Sequence, residues 1–127
     1  PKIKFKNWPA DERTIRLIVW PQILKIGRLA GMNLKEYYEH YLTLHQDYRC
    51  RRLHFLGQWV TIFFTTFVLY NWYWYLIPFI PFVIYPFAWS GHYFYEKNKP
   101  AAFTDPIKAK LSDWLMFRDI LLGRISL

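Results

Sequence analysis

Residues 53–95, "LHFLGQWVTIFFTTFVLYNWYWYLIPFIPFVIYPFAWSGHYFY", contain no Asp, Glu, Lys or Arg, and how they are read decides the fold. A bilayer core of about 30 Å is crossed by roughly 20 helical residues, so 43 residues accommodate two spans and a short turn. The turn is expected near Asn71, with Trp72, Tyr73, Trp74 and Tyr75 as an interfacial aromatic belt. The first span is expected over Leu53 to Tyr70. The second contains Pro78, Pro81 and Pro86, each lacking a backbone donor. It is therefore expected to be kinked or shallow and packed on protein that satisfies the freed carbonyls. The fold class that follows is an all-α membrane protein: a transmembrane helical hairpin flanked by amphipathic, interfacial helices.

Composition agrees with one such unit. The 127 residues are 54% hydrophobic and 22% aromatic, with a formal charge of +8. A basic chain of this kind could bind nucleic acid or an anionic membrane surface. Here Arg49, Arg51 and Arg52 precede the uncharged run and Lys97 and Lys99 follow it. These are positive-inside flanks, which put both termini on the cytosolic or matrix face. The aromatics lie in apolar runs rather than between basic residues, so nucleic-acid binding is not expected. The single cysteine, Cys50, excludes an internal disulfide and a zinc site built on cysteines. It is expected to pack rather than to react. The opening "PKIKFKNWPADER" has no apolar run and is not expected to act as a cleavable leader.

Two regions result, a basic amphipathic arm over 1–33 and a single membrane domain over 34–124. In the arm, "TIRLIVWPQILKIGRL" mixes apolar residues with Arg16, Lys25 and Arg28. That suits an interfacial segment bent at Pro21, or an arm that binds membrane-protein partners. In the domain, Asn33 and Glu36 form a relaxed capping box for a helix over 34–46. Its inward stripe carries Leu34, Tyr37, Tyr38, Tyr41, Leu42 and His45, leaving His40 outside. Near the end, Ser112 can cap an interfacial helix over about 113–122, with Gly123 and Arg124 as its stop.

Folding the uncharged run into a hairpin returns His54 and His92 to one membrane face. His45 reaches the same level only if the chain turns at "QDYR", residues 46–49, because a continuous helix would set His45 and His54 about 180° apart. Glu96 follows His92 by four residues and would share its helix face. Neutral imidazoles bind iron or zinc, and three of them with a carboxylate leave positions open for substrate. His45, His54 and His92 are the candidate metal ligands, and Glu96 the candidate catalytic carboxylate. The alternative is that the histidines are only amphipathic residues at the interface.

The stretch "YYEHYLTLHQDYRCRRLHFLG" and the later "SGHYFYEKNKPAAF" resemble the small membrane family that includes the fungal 2-hydroxy fatty acid dioxygenase. The likeness covers about residues 34–124. It rests on His45, His54 and Gly57, then on Gly91, His92, Glu96, Lys97, Asn98, Lys99, Pro100 and Ala101, and more loosely on Asp113, Met116, Leu122, Gly123 and Arg124. Cys50 stands where that family usually has Asn, and the N-terminal arm lies outside the likeness. The resemblance implies an Fe(II)-dependent dioxygenase that shortens a 2-hydroxy fatty acid by one carbon, embedded in the endoplasmic reticulum membrane. On that reading Arg51 or Arg52 could hold the substrate carboxylate, or serve only as flanking charges. The alternative from another class is a non-catalytic subunit of a larger membrane complex, such as a mitochondrial respiratory one. Such a subunit would keep the fold, with zinc in place of iron and the arm as its contact.

Overall fold

The computed structural model describes residues 20–127, and the chain divides into two units, Pro1–Met32 and Asn33–Leu127. In the first, helix α1 covers Trp20–Gly31 and exposes Ile23, Leu24 and Ile26. The remainder of the arm lies outside the described residues, and the bend expected at Pro21 falls at their edge.

The second unit is helical throughout, with no strand among the described residues. Helix α2, Leu34–Thr43, starts with the expected capping box. Asn33 Oδ1 accepts from the Glu36 backbone at 2.9 Å, and Glu36 Oε2 accepts from the Asn33 backbone at 3.2 Å. The helix stops at Thr43, short of the expected 46, for a visible reason. The backbone N–H groups of Leu44 and His45 turn to the carbonyls of Tyr41 and Leu42, and the Arg51 guanidinium takes those of His45 and Gln46 at 3.0 and 2.6 Å. Asp47 then caps helix α3, Tyr48–Tyr70, accepting from the Arg49 backbone at 2.8 Å. The break required at "QDYR" is present.

Helix α3 is long and apolar enough to cross a membrane. Its inward face repeats at helical spacing through Cys50, His54, Gly57, Gln58, Thr61 and Val68, all buried. The rest of its surface exposes Leu56, Phe63, Phe67 and Leu69. The hydroxyls of Thr61, Thr65 and Thr66 bond back to carbonyls four residues earlier, at 2.7 to 2.9 Å, so these polar groups are satisfied within the helix. The chain reverses at Asn71–Trp72, where Trp72 takes the left-handed conformation, φ 59°.

The returning arm is not one helix. It is a 3-10 segment over Trp74–Phe82, a short helix α4 over Tyr85–Gly91 and a π-helical turn over His92–Glu96. Pro78 and Pro81 lie inside the first piece and Pro86 opens the second, which is the physical reason for the fragmentation. None of these pieces is long enough to cross a bilayer alone, so of the two expected spans only the first is, among the described residues, a helix long and apolar enough to cross. α3 and α4 approach until only glycine fits between them. A Cβ on Gly57 would sit 2.5 Å from Ile84 Cδ1, and one on Gly91 would sit 2.8 Å from Cys50 Sγ.

Helix α5 runs Pro106–Leu121 and packs on α2 and α3. It begins well before the expected 113, because Asp105 is its cap, accepting from the Lys108 backbone at 3.0 Å, and Pro106 is its first residue. Ser112 does not cap it but lies buried inside it, beside Asp113 and Met116. The helix is therefore core on one face, not a purely interfacial segment.

A buried three-histidine centre

Each histidine comes from a different local structure: His45 from the break between α2 and α3, His54 from the second turn of α3, and His92 from the π-helical turn. π-turns recur at functional positions because they re-aim one side chain without ending the helix. The three rings meet in the interior. Their centroids are 4.6 Å apart for His45–His54 and His45–His92 and 5.4 Å apart for His54–His92. Exposure is 2%, 3% and 2% respectively.

The hydrogen bonds decide which nitrogen of each ring is free. His45 Nδ1 lies 2.8 Å from the Tyr41 carbonyl, His54 Nδ1 2.7 Å from Asp113 Oδ1, and His92 Nδ1 2.6 Å from Asn98 Oδ1. All three partners are acceptors, so each Nδ1 carries the proton and each Nε2 is left with a lone pair. The Asn98 orientation is consistent, since its Nδ2 donates to the Leu44 carbonyl at 3.0 Å. His45 Nε2 and His54 Nε2 are buried with no hydrogen-bond partner. Unpaired buried nitrogens are destabilising, and two of them within one cluster of potential ligands could hold a metal ion. Burial, reinforced by the neighbouring His54, holds the pKa of His45 well below the usual histidine value, keeping it in the neutral form that ligates.

Cys50 joins this group. It lies one helical turn before His54, and its sulfur and the three imidazoles offer ligand atoms all within 4.8 Å of one another. Ligands about 2 Å from a zinc ion sit roughly 3.3 Å apart, so the donors need only a small contraction to enclose one ion. The residues present fit a transition metal, with His45, His54 and His92 to hold it and Cys50 in reach.

The other expected site residues stand elsewhere. Glu96 is outside the cluster; its Oε1 accepts the Asp47 backbone N–H at 2.7 Å, tying the π-turn to the start of α3. Arg51 is committed to backbone carbonyls, including that of Ser126 at 2.9 Å. Arg52 lies over the Tyr48 ring at 4.9 Å.

Residues given no site role on sequence grounds surround the histidines. Asp113 is the principal one, accepting from His54 Nδ1, from the Tyr41 hydroxyl at 3.2 Å and from Gln58 Nε2. The Tyr41 ring also stacks on His45 at 4.1 Å. A signal for three of these was present: Asp113 and Asn98 both fall in the motif blocks, and Tyr41 is four residues before His45 on the inward stripe. Gln58 had a weaker one, as a polar residue one turn after His54 in an uncharged run. Beside the histidines a small cleft opens, lined by His54, His92, Asp113, Lys110 and Trp89 among others.

A helical protein with three buried, Nδ1-anchored histidines and an adjoining cleft belongs to the class of candidate metal-centre proteins. Residues 32–125 match the family described as 2-hydroxy-palmitic acid dioxygenase Mpo1-like. The chain belongs to this Mpo1-like family, and the family's description points to a dioxygenase-like function on a 2-hydroxy fatty acid. No curated relative and no solved structure matches the chain.

Proposed function

We propose that this protein is a membrane-embedded, Fe(II)-dependent dioxygenase that shortens a 2-hydroxy fatty acid by one carbon using O2. The observation that carries the reading is the common tautomer of the three histidines, each donating its Nδ1 hydrogen to an acceptor and leaving Nε2 with a lone pair. An iron(II) ion held there would supply the chemistry that reduces dioxygen, with open positions for the hydroxyl and carboxylate of the substrate. The chain's own residues hold and orient. Asp113, Asn98 and the Tyr41 carbonyl fix the rings, and the burial of all three histidines excludes bulk water. The exposed aromatic surface and α3 keep the site at a membrane, where an acyl tail can remain in lipid. The uncharged run supports a hairpin with both termini on the cytosolic side, in the endoplasmic reticulum as for the fungal relative. Glu96 supports the site from outside it, by joining the π-turn to α3.

The test is metal analysis with turnover. Purified protein should contain about one iron per chain, consume O2 with 2-hydroxyhexadecanoate, and lose both in His45→Ala. Absence of iron and turnover in the wild type overturns the reading.

Cys50 favours a second reading. Three histidines and a thiolate close a tetrahedron around zinc, as structural sites do, and a closed site suits a non-catalytic subunit of a larger membrane assembly, such as a mitochondrial respiratory one. X-ray absorption separates the two: a sulfur ligand on zinc supports the subunit, and nitrogen and oxygen ligands on iron support the enzyme.

A further inference from the structure

Lys110 lies on α5, three residues before Asp113, and lines the cleft with Asp113, His54 and His92. Its Nζ is shielded from solvent and has no hydrogen-bond partner. The nearest aromatic face is Trp114, at 5.9 Å. An ammonium offers three donors and no acceptor, and burying it unpaired is unfavourable. Burial lowers its pKa from the usual lysine value, while the charge of Asp113 acts in the opposite direction. Asp113 attracts Lys110 without bonding to it, because that carboxylate already accepts from Tyr41, His54 and Gln58. The cleft therefore holds a cation that lacks its anion. The remaining lining, which includes Ile84, Ala88, Trp89 and Ala101, is apolar and suits the first carbons of an acyl chain.

We infer that Lys110 is the residue that binds the carboxylate of the acid substrate, in the place the sequence assigned to Arg51 or Arg52. The inference rests on the reading of this site as one for a 2-hydroxy acid. Arg51 is engaged with three backbone carbonyls and Arg52 with Tyr48, whereas Lys110 lines the same cleft as His54 and His92. A hydrogen-bonded ion pair in a site shielded from water is strong enough to select an acid over its neutral ester by roughly tenfold or more.

The experiment measures binding of 2-hydroxyhexadecanoic acid and its methyl ester to the full chain in nanodiscs of fixed lipid composition, with and without iron. Wild type should prefer the acid by about tenfold or more. Without iron, Lys110→Met and Lys110→Gln should lose that preference with ester binding unchanged, Lys110→Arg should recover part of it, and all the variants should load iron as the wild type does. Lack of acid preference in the iron-free wild type, or its survival in both iron-free neutral variants, overturns the inference. The two ideas fail separately. Acid-selective binding that depends on Lys110 without any O2 consumption removes the dioxygenase and keeps the carboxylate site. Turnover with an unchanged KM for the acid in both neutral variants removes Lys110 and keeps the dioxygenase.

Discussion

His54 Nδ1 lies 2.7 Å from Asp113 Oδ1, and both side chains are buried. The carboxylate serves three donors at once, from α2 and α3, so it holds the imidazole and the helices together. Asp113→Asn keeps one acceptor oxygen but turns an amide donor toward donors. Metal affinity should fall about 10- to 100-fold, read by competition with a chelator of known affinity, while the helical circular dichroism of the purified variant is retained. An unchanged affinity would show that the carboxylate does not tune the ligand.

Asn98 joins His92 Nδ1 to the Leu44 carbonyl, at 2.6 and 3.0 Å. Asn98→Leu removes both links and frees the π-turn from the α2–α3 break. It should lower metal affinity by at least about tenfold. Asn98→Asp keeps the acceptor for His92 but sets a carboxylate against the Leu44 carbonyl. It should fall between Asn98→Leu and the wild type in the same chelator assay.

The close approach of α3 and α4 makes Gly57→Ala an overpacking substitution, since the added methyl meets Ile84 Cδ1 at 2.5 Å and Phe87 Cβ at 2.9 Å. It should destabilise the domain by about 1–3 kcal/mol. Gly27→Ala in α1 adds a methyl with nothing within 4 Å and should be neutral or favourable by about 0.5–1 kcal/mol. Thermal unfolding of the two variants in the same detergent checks the contrast, and equal shifts would contradict the packing described.

Asp119 accepts from the Tyr38 hydroxyl at 2.8 Å and from Arg118 at 2.8 Å. Burial pushes its pKa up, but these bonds and the arginine charges outweigh it and hold the carboxyl below the usual value. A depressed folded pKa contributes stability that is complete above the unfolded value, about 3.9, and is lost as pH falls through the lower folded value. Tyr38→Phe should therefore lower stability by about 1.5–3 kcal/mol at neutral pH, and the gap from wild type should shrink in that acid window. A gap that stays constant from neutral pH into the acid range would rule out the Asp119 linkage.

Local physics made much of this legible. The capping box at Asn33, the turn at Asn71 and the three prolines each act within a few residues, so their effects could be read along the chain. The extent of α5 was legible too, in Asp105 followed by Pro106, but Ser112 competed as a cap, and only packing decided between them. The placement of Glu96 beside Asp47 was not legible, for a different reason. Spacing of four residues places two side chains on one face of an α-helix, but residues 92–96 form a π-turn, where that rule does not hold.

By itself the sequence determined that the chain is helical, that one long uncharged segment supplies a helix able to cross a membrane, and that three histidines could meet if the chain broke before α3. These follow from hydropathy, charge and capping, which are properties of neighbouring residues. Only the tertiary structure decided that His54 is anchored by Asp113, a residue 59 positions away, that Cys50 stands beside the imidazoles, and that Lys110 rather than Arg51 lines the cleft. Those outcomes depend on how closely α3 and α4 approach at Gly57 and Gly91 and on which face α5 buries. Such contacts join distant segments, and no local pattern encodes them.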